Sequence, residues 1–162
     1  MENILNIYTN FAKSIDDEIE IEFDNDWQCD TETKTIYIPL IESEEESERF
    51  INNFKKEWCK DRKIIKLFFS PVTMSFLHEI GHTQTEQGDI ISKILRKISN
   101  FLCKHKITKE LSYKIYYNIP EEKRATQWAI EFIAWNYFKT IEFNANIENA
   151  YFEYYDKIIE EN

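Results

Sequence analysis

Two of the three histidines in the chain stand four residues apart, in the run His78-Glu79-Ile80-Gly81-His82. On an α-helix, residues four apart share a face and lie ~6 Å apart along the axis. Both imidazoles can then reach one metal ion at ~2.0–2.1 Å. Glu79 is turned by ~100° from His78, beside such an ion rather than on it. From there its carboxylate can take a proton from a metal-bound water. A chain of this length and composition yields about 0.01 chance matches to His-Glu-x-x-His, so accident is a poor account of the run. The competing reading is a plain helix with two exposed histidines and a core-packed Ile80.

A catalytic zinc takes three protein ligands and leaves a fourth position for water. His105 is the remaining histidine, and its neighbours Lys104 and Lys106 suit an exposed position. The metzincin spacing would put a third histidine six residues after His82, where Gly88 stands. A carboxylate from a later helix is the better candidate. Glu121 and Glu122 both fall in the first turn of a helix opened by Pro120, where acidic residues also complement the helix dipole. Glu86, one turn beyond His82, reads as a surface or supporting carboxylate, and Asp89 as the start of the next helix. Tyr113, Tyr116, Tyr117, Arg124 and His105 are the candidates for stabilising a developing oxyanion.

The elements that must position these residues follow from periodicity. Ile4, Ile7, Tyr8, Phe11 and Ile15 have helical spacing, and Ile19, Ile21 and Phe23 alternate with acidic residues as in a half-buried strand. Trp27 to Cys29 and Thr35 to Ile38 form the arms of a hairpin around the polar turn 30–33, with Pro39 ending the second arm. Ser43 and the acidic run after it start a helix carrying Phe50, Ile51, Phe54 and Trp58. Residues 64–69 are ambiguous between strand and helix. Ser70-Pro71 starts the helix of the histidines, with serine as N-cap and proline at the first helical position. Further helices carry Ile91, Ile94, Leu95, Ile98 and Leu102; residues 108–117; Ala125, Trp128, Ala129, Phe132 and Trp135; and Ile147, Tyr151, Tyr154, Tyr155 and Ile158. A small early sheet followed by helices is an α+β arrangement, read as one domain over 1–162.

Composition narrows the function further. The chain has 162 residues, 43% apolar and 15% aromatic, enough for a core, and a net charge of -10. That charge predicts repulsion from nucleic acid and from anionic membranes. No apolar run approaches the ~18–20 residues that span a bilayer, and the N-terminus lacks a signal-peptide pattern. Cys29, Cys59 and Cys103 are widely spaced and odd in number, which suits reduced thiols in a cytoplasm. Two glycines stand where average usage gives roughly eleven. Gly88 reads as the end of the histidine helix. Gly81 sits inside it at a cost of ~1 kcal/mol relative to alanine, which predicts close approach of another backbone.

The stretch from Glu122 to Ala129 resembles the second-helix motif of gluzincin metallopeptidases, in particular the ImmA/IrrE family. Glu122, Ala125, Trp128 and Ala129 stand at the matching places, and Thr35-Ile36-Tyr37-Ile38 resembles the strand ahead of the active-site helix. Register with Ala125 favours Glu122 over Glu121. Two departures stand out: Thr126 replaces an Asp or Asn, and Ala134-Trp135-Asn136 replaces the family's Leu-Met-Pro. The resemblance implies a zincin-like domain with Zn2+ held by His78, His82 and Glu122, and Glu79 as general base. It also implies a protein or peptide substrate, such as a regulatory protein. The alternative is a zinc-binding interaction module without proteolysis.

Overall fold

Ile4, Tyr8, Phe11 and Ala12 recur along one side of the first helix, α1 (Glu2–Lys13), and all four are buried. The computed structural model describes residues 1–40, 44–61, 69–105 and 108–161, with the side chains of 44–47, 58–61 and 161 left out. Ser43, residues 64–68 and the Trp58 and Cys59 side chains, all read above from sequence, lie outside this description.

In β1 (Glu20–Asp24) a buried Ile21 stands between exposed Glu20 and Glu22, as the alternation requires. The expected hairpin forms from β2 (Gln28–Asp30) and β3 (Thr35–Pro39), antiparallel, with Cys29 opposite Ile36. Asp30 Oδ1 accepts the backbone N–H groups of Glu32 and Thr33 in the turn, at 2.9 and 3.3 Å. Lys34 completes the turn with φ 55°. The sequence does not announce that β1 pairs in parallel with β3, Ile21 opposite Ile36, giving the order β1-β3-β2. Parallel partners are chosen by packing rather than by a local turn. As the central strand, β3 is buried on both faces.

The helices α2 (Glu44–Asp61), α3 (Pro71–Gln84), α4 (Ile90–Lys104), α5 (Lys109–Tyr116), α6 (Pro120–Trp135) and α7 (Tyr137–Glu161) complete an α+β fold. The start of α3 is as the sequence predicts. Ser70 Oγ accepts the Thr73 N–H at 3.3 Å and Pro71 occupies the first turn. Asn144 of α7 anchors the same corner, its Oδ1 accepting the Ser70 N–H at 2.8 Å. Ten consecutive residues of α3, Thr73 to His82, are buried, so the histidine helix runs through the middle of the molecule. Phe76 on its far side meets Tyr8 of α1 and Phe143 of α7, with ring centroids at 4.5 and 5.4 Å. Each such ring contributes ~1.5–3 kcal/mol on burial.

Two helices turn inward a stripe that their apolar periodicity does not mark. On α6 the buried residues are Glu121, Glu122, Ala125, Thr126, Ala129, Ile130 and Ile133, while Trp135 is 84% exposed. The helix turns its small and polar stripe inward because α3 lies against it. On α4 the buried residues are Ser92 and Ser99, and Ile91, Ile94 and Ile98, which have the helical spacing, are exposed. Ser99 and Ser112 of α5 bond reciprocally to each other's backbone carbonyls at 2.9 and 2.8 Å, a contact that only small side chains allow.

Candidate metal centre

His78 and His82 project from the same face of α3, and Glu122 reaches them from the first turn of α6. His78 Nε2 lies 3.1 Å from Glu122 Oε2 and 3.2 Å from His82 Nε2, and His82 Nε2 lies 3.4 Å from Glu122 Oε2. These are the edges of a near-equilateral triangle. In a tetrahedral zinc site with bonds of ~2.0–2.1 Å, neighbouring ligand atoms stand ~3.3 Å apart. The donor set and its spacing therefore fit such an ion. Glu79 belongs to the same cluster: it, His78 and His82 each offer a ligand atom within 4.8 Å of the others'.

Close packing of α3 on α6 brings the donors together, and Gly81 permits that packing. A Cβ at Gly81 would stand 2.9 Å from both the carbonyl carbon and the Cα of Ala125. The close backbone approach expected from the mid-helix glycine is thus present. Gly88 plays a different part from the one expected. α3 ends at Gln84 with Thr85 in an extended cap. Gly88 lies in the following loop with φ 87°, a left-handed conformation that glycine adopts without strain. Its N–H donates to Glu121 Oε1 at 2.6 Å.

The same bond separates the two glutamates left open by the sequence. Glu121 is occupied by Gly88 and by Arg96, whose Nη2 lies 3.0 Å from Glu121 Oε2. Glu122 is the one that faces both imidazoles. Arg96 also donates to Glu122 Oε1 at 2.9 Å, fixing the carboxylate with Oε2 toward the histidines. Sequence reasoning passed over Arg96. Its signal was its place on α4 opposite the apolar stripe, among the serines that turn inward. Thr126, standing where Asp or Asn was expected, supports His78 after all, with Oγ1 3.1 Å from Nδ1. In the tautomer with the proton on Nδ1, the hydroxyl accepts it, which would leave the Nε2 lone pair free for a metal ion.

The electrostatics follow from burial and pairing. Burial pushes the Glu122 carboxyl up, but hydrogen bonds from His78 and His82 outweigh it and hold the group well below the usual carboxylate range. Burial also pushes Glu79 up. The nearby histidines oppose this and the Glu122 charge adds to it, so Glu79 titrates above an ordinary glutamate. Burial lowers His82, but its bond to Glu122 leaves it raised. Tyr116 is held well above its ordinary value by burial and by the charges of Glu122 and Glu79, so its hydroxyl stays protonated and bonds Glu122.

His78 and Glu79 form one wall of a cavity of about 420 Å³ whose other sides include Trp27, Arg49, Phe50 and Tyr116. The Phe50 ring meets His78 edge-on at 5.2 Å. Of the candidate oxyanion donors, Tyr113, Tyr116 and Tyr117 line this cavity. Arg124 is engaged elsewhere, donating to the Glu86 carbonyl at 3.0 and 2.8 Å and to Asp89 Oδ2 at 2.9 Å. His105 is exposed at the end of α4, against the Phe101 ring. Glu86 is exposed, and Asp89 caps α4 by accepting the Ser92 N–H at 2.7 Å, as its place in the sequence suggests. Comparison of the chain with protein-family models, with curated proteins and with solved structures finds no match.

Proposed function

We propose that the protein is a zinc-dependent peptidase in which His78, His82 and Glu122 hold the metal and Glu79 is the general base. The observation that carries this is the triangle of donor atoms at 3.1, 3.2 and 3.4 Å with Glu79 beside it on the cavity wall. A bound zinc ion would supply Lewis acidity toward a water and a peptide carbonyl. Glu79 accepts the water's proton and returns it to the leaving amine. Tyr116 lines the same cavity, and its hydroxyl, bonded to Glu122, would hold that carboxylate toward the histidines. A peptide can lie extended along the outer edge of β2, since residues just ahead of that strand, Asn25 to Trp27, share the cavity with Glu79.

Elemental analysis of protein purified without added metal tests the reading. About one equivalent of zinc is expected; less than about a tenth of an equivalent, with no uptake on titration, would overturn it. Glu122→Ala removes one of three donors and should weaken zinc binding by on the order of 100-fold or more. Unchanged affinity in a competition titration would take Glu122 out of the ligand set. Thr126→Val keeps the shape but loses the acceptor for His78 Nδ1, and should weaken zinc binding by about 10- to 100-fold. Serine at the same position should restore most of it.

A further inference from the structure

The outward face of α4 is apolar and one of its edges is basic. Ile91, Ile94, Ile98 and Phe101 are 62%, 52%, 43% and 56% exposed, and Ile90 is more exposed still. At ~100° per residue these five side chains fall within an arc of ~100°. Lys93, Lys97 and Lys104, all exposed, fall within ~40° of one another along one border of that arc. The opposite side of the helix carries Ser92, Ser99 and Arg96, which face the protein. Residues 90–109 hold six of the chain's twenty Lys and Arg and none of its thirty Asp and Glu. In a chain of net charge -10, this is a local reversal of sign.

A helix that packs small serines inward and aligns isoleucines outward is built to bury that face against something else. Ser99, Asn100 and Cys103 of α4 line the cavity beside Glu79, whereas the exposed isoleucines are not among its lining residues. The apolar arc is thus the convex side of a single helix rather than a groove shaped for a partner's side chains. Antiparallel pairing with a second copy would set the two lysine rows on the same side of the interface, close together. We propose that α4 lies flat on an anionic lipid surface. Its isoleucines and Phe101 enter the boundary between headgroups and acyl chains, and Lys93, Lys97 and Lys104 sit among the lipid phosphates.

The expectation of repulsion from anionic membranes drawn from net charge is overridden locally. Screening confines each charge to ~8 Å at physiological salt, so the lysine row acts on the surface it touches. No described helix is long and apolar enough to cross a membrane, and this mode requires none. It is independent of the metal, and its test needs none.

Sedimentation of the full chain with vesicles decides the matter, comparing phosphatidylcholine alone with the same lipid containing about a third phosphatidylserine. Binding is expected to the anionic vesicles only, and to fall at least tenfold in about 0.5 M sodium chloride. Ile94→Asp with Ile98→Asp should reduce it to the level of neutral vesicles. Lys93→Ser, Lys97→Ser and Lys104→Ser together should weaken it by on the order of 100-fold. All five positions are exposed, and circular dichroism checks that helix content is kept. Absence of binding, equal binding to both vesicles, or full binding by the helical Ile94/Ile98 variant would overturn the proposal. So would a dimer dissolved by that variant, which assigns the face to a second copy. Binding to soluble polyglutamate in preference to vesicles would assign it to an acidic protein and equally overturn it.

Discussion

Glu79→Gln is expected to retain a full equivalent of zinc while peptide cleavage falls by at least ~10²–10⁴-fold, the range for loss of a general base. Glutamine keeps the volume of the buried side chain and removes the carboxylate. The three proposed metal donors are left alone, because Glu122 rather than Glu79 closes the triangle with the histidines. Burial raises the Glu79 carboxyl above an ordinary glutamate, which brings its proton affinity toward that suited to accepting and releasing a proton near neutral pH. Metal content and turnover of a peptide library, measured on the same preparations, separate the two roles. Zinc lost together with activity would make Glu79 a ligand. Cleavage that survives the change would mean that another group accepts the proton.

Gly81→Ala is expected to lower the melting temperature, against the usual effect of that substitution. Inside an ordinary helix, alanine is favoured over glycine by about 1 kcal/mol. Here the new methyl would meet the backbone of Ala125 at 2.9 Å, and backbone cannot swing aside as a flexible side chain can. Overpacking of this kind costs about 1–3 kcal/mol or more, which for a chain of this size lowers the midpoint by ~2–4 °C per kcal/mol. The helices forced apart are α3 and α6, which carry the histidines and Glu122 respectively, so zinc affinity should fall in parallel. Leucine should be worse than alanine in both respects. Thermal unfolding and a zinc competition titration give the two readouts. A stabilised Gly81→Ala protein would show that the two helices separate without strain.

The local signals in the chain were those that neighbouring residues can carry. Ser70-Pro71 marks the start of α3, Asp89 the start of α4, and the turn residues from Asp30 to Thr33 the β2–β3 hairpin. In each case a side chain meets backbone within three residues of itself. The pairing of β1 with β3 had no such signal, because parallel strands have no shared turn to set their register. The facing of α4 has no local signal for a related reason. Its periodicity correctly specified an amphipathic helix, but periodicity is silent about which side meets the protein. Ser92 and Ser99 decide that, by allowing α5 and α6 to approach. On α6 the same limit applied, and Trp135 points to solvent while Thr126 points to His78.

The site divides along the same line. His78, Glu79 and His82 are set by sequence, since helical geometry alone places residues four apart on one face. Gly81 also announced its role, because a helix tolerates an interior glycine where something must come close. Register with Ala125 favours Glu122 over Glu121, and tertiary structure shows which of the two carboxylates faces the imidazoles. Adjacent residues on a helix point ~100° apart, and only the docking of α6 on α3, with Gly88 and Arg96 taking the other carboxylate, determines which one meets the imidazoles. Arg96 and Tyr116 come from helices that carry no motif, and they reach Glu122 because α4 and α5 pack through serines. Spacing along one helix is a property of the chain; convergence of four helices on one carboxylate is a property of the packed molecule.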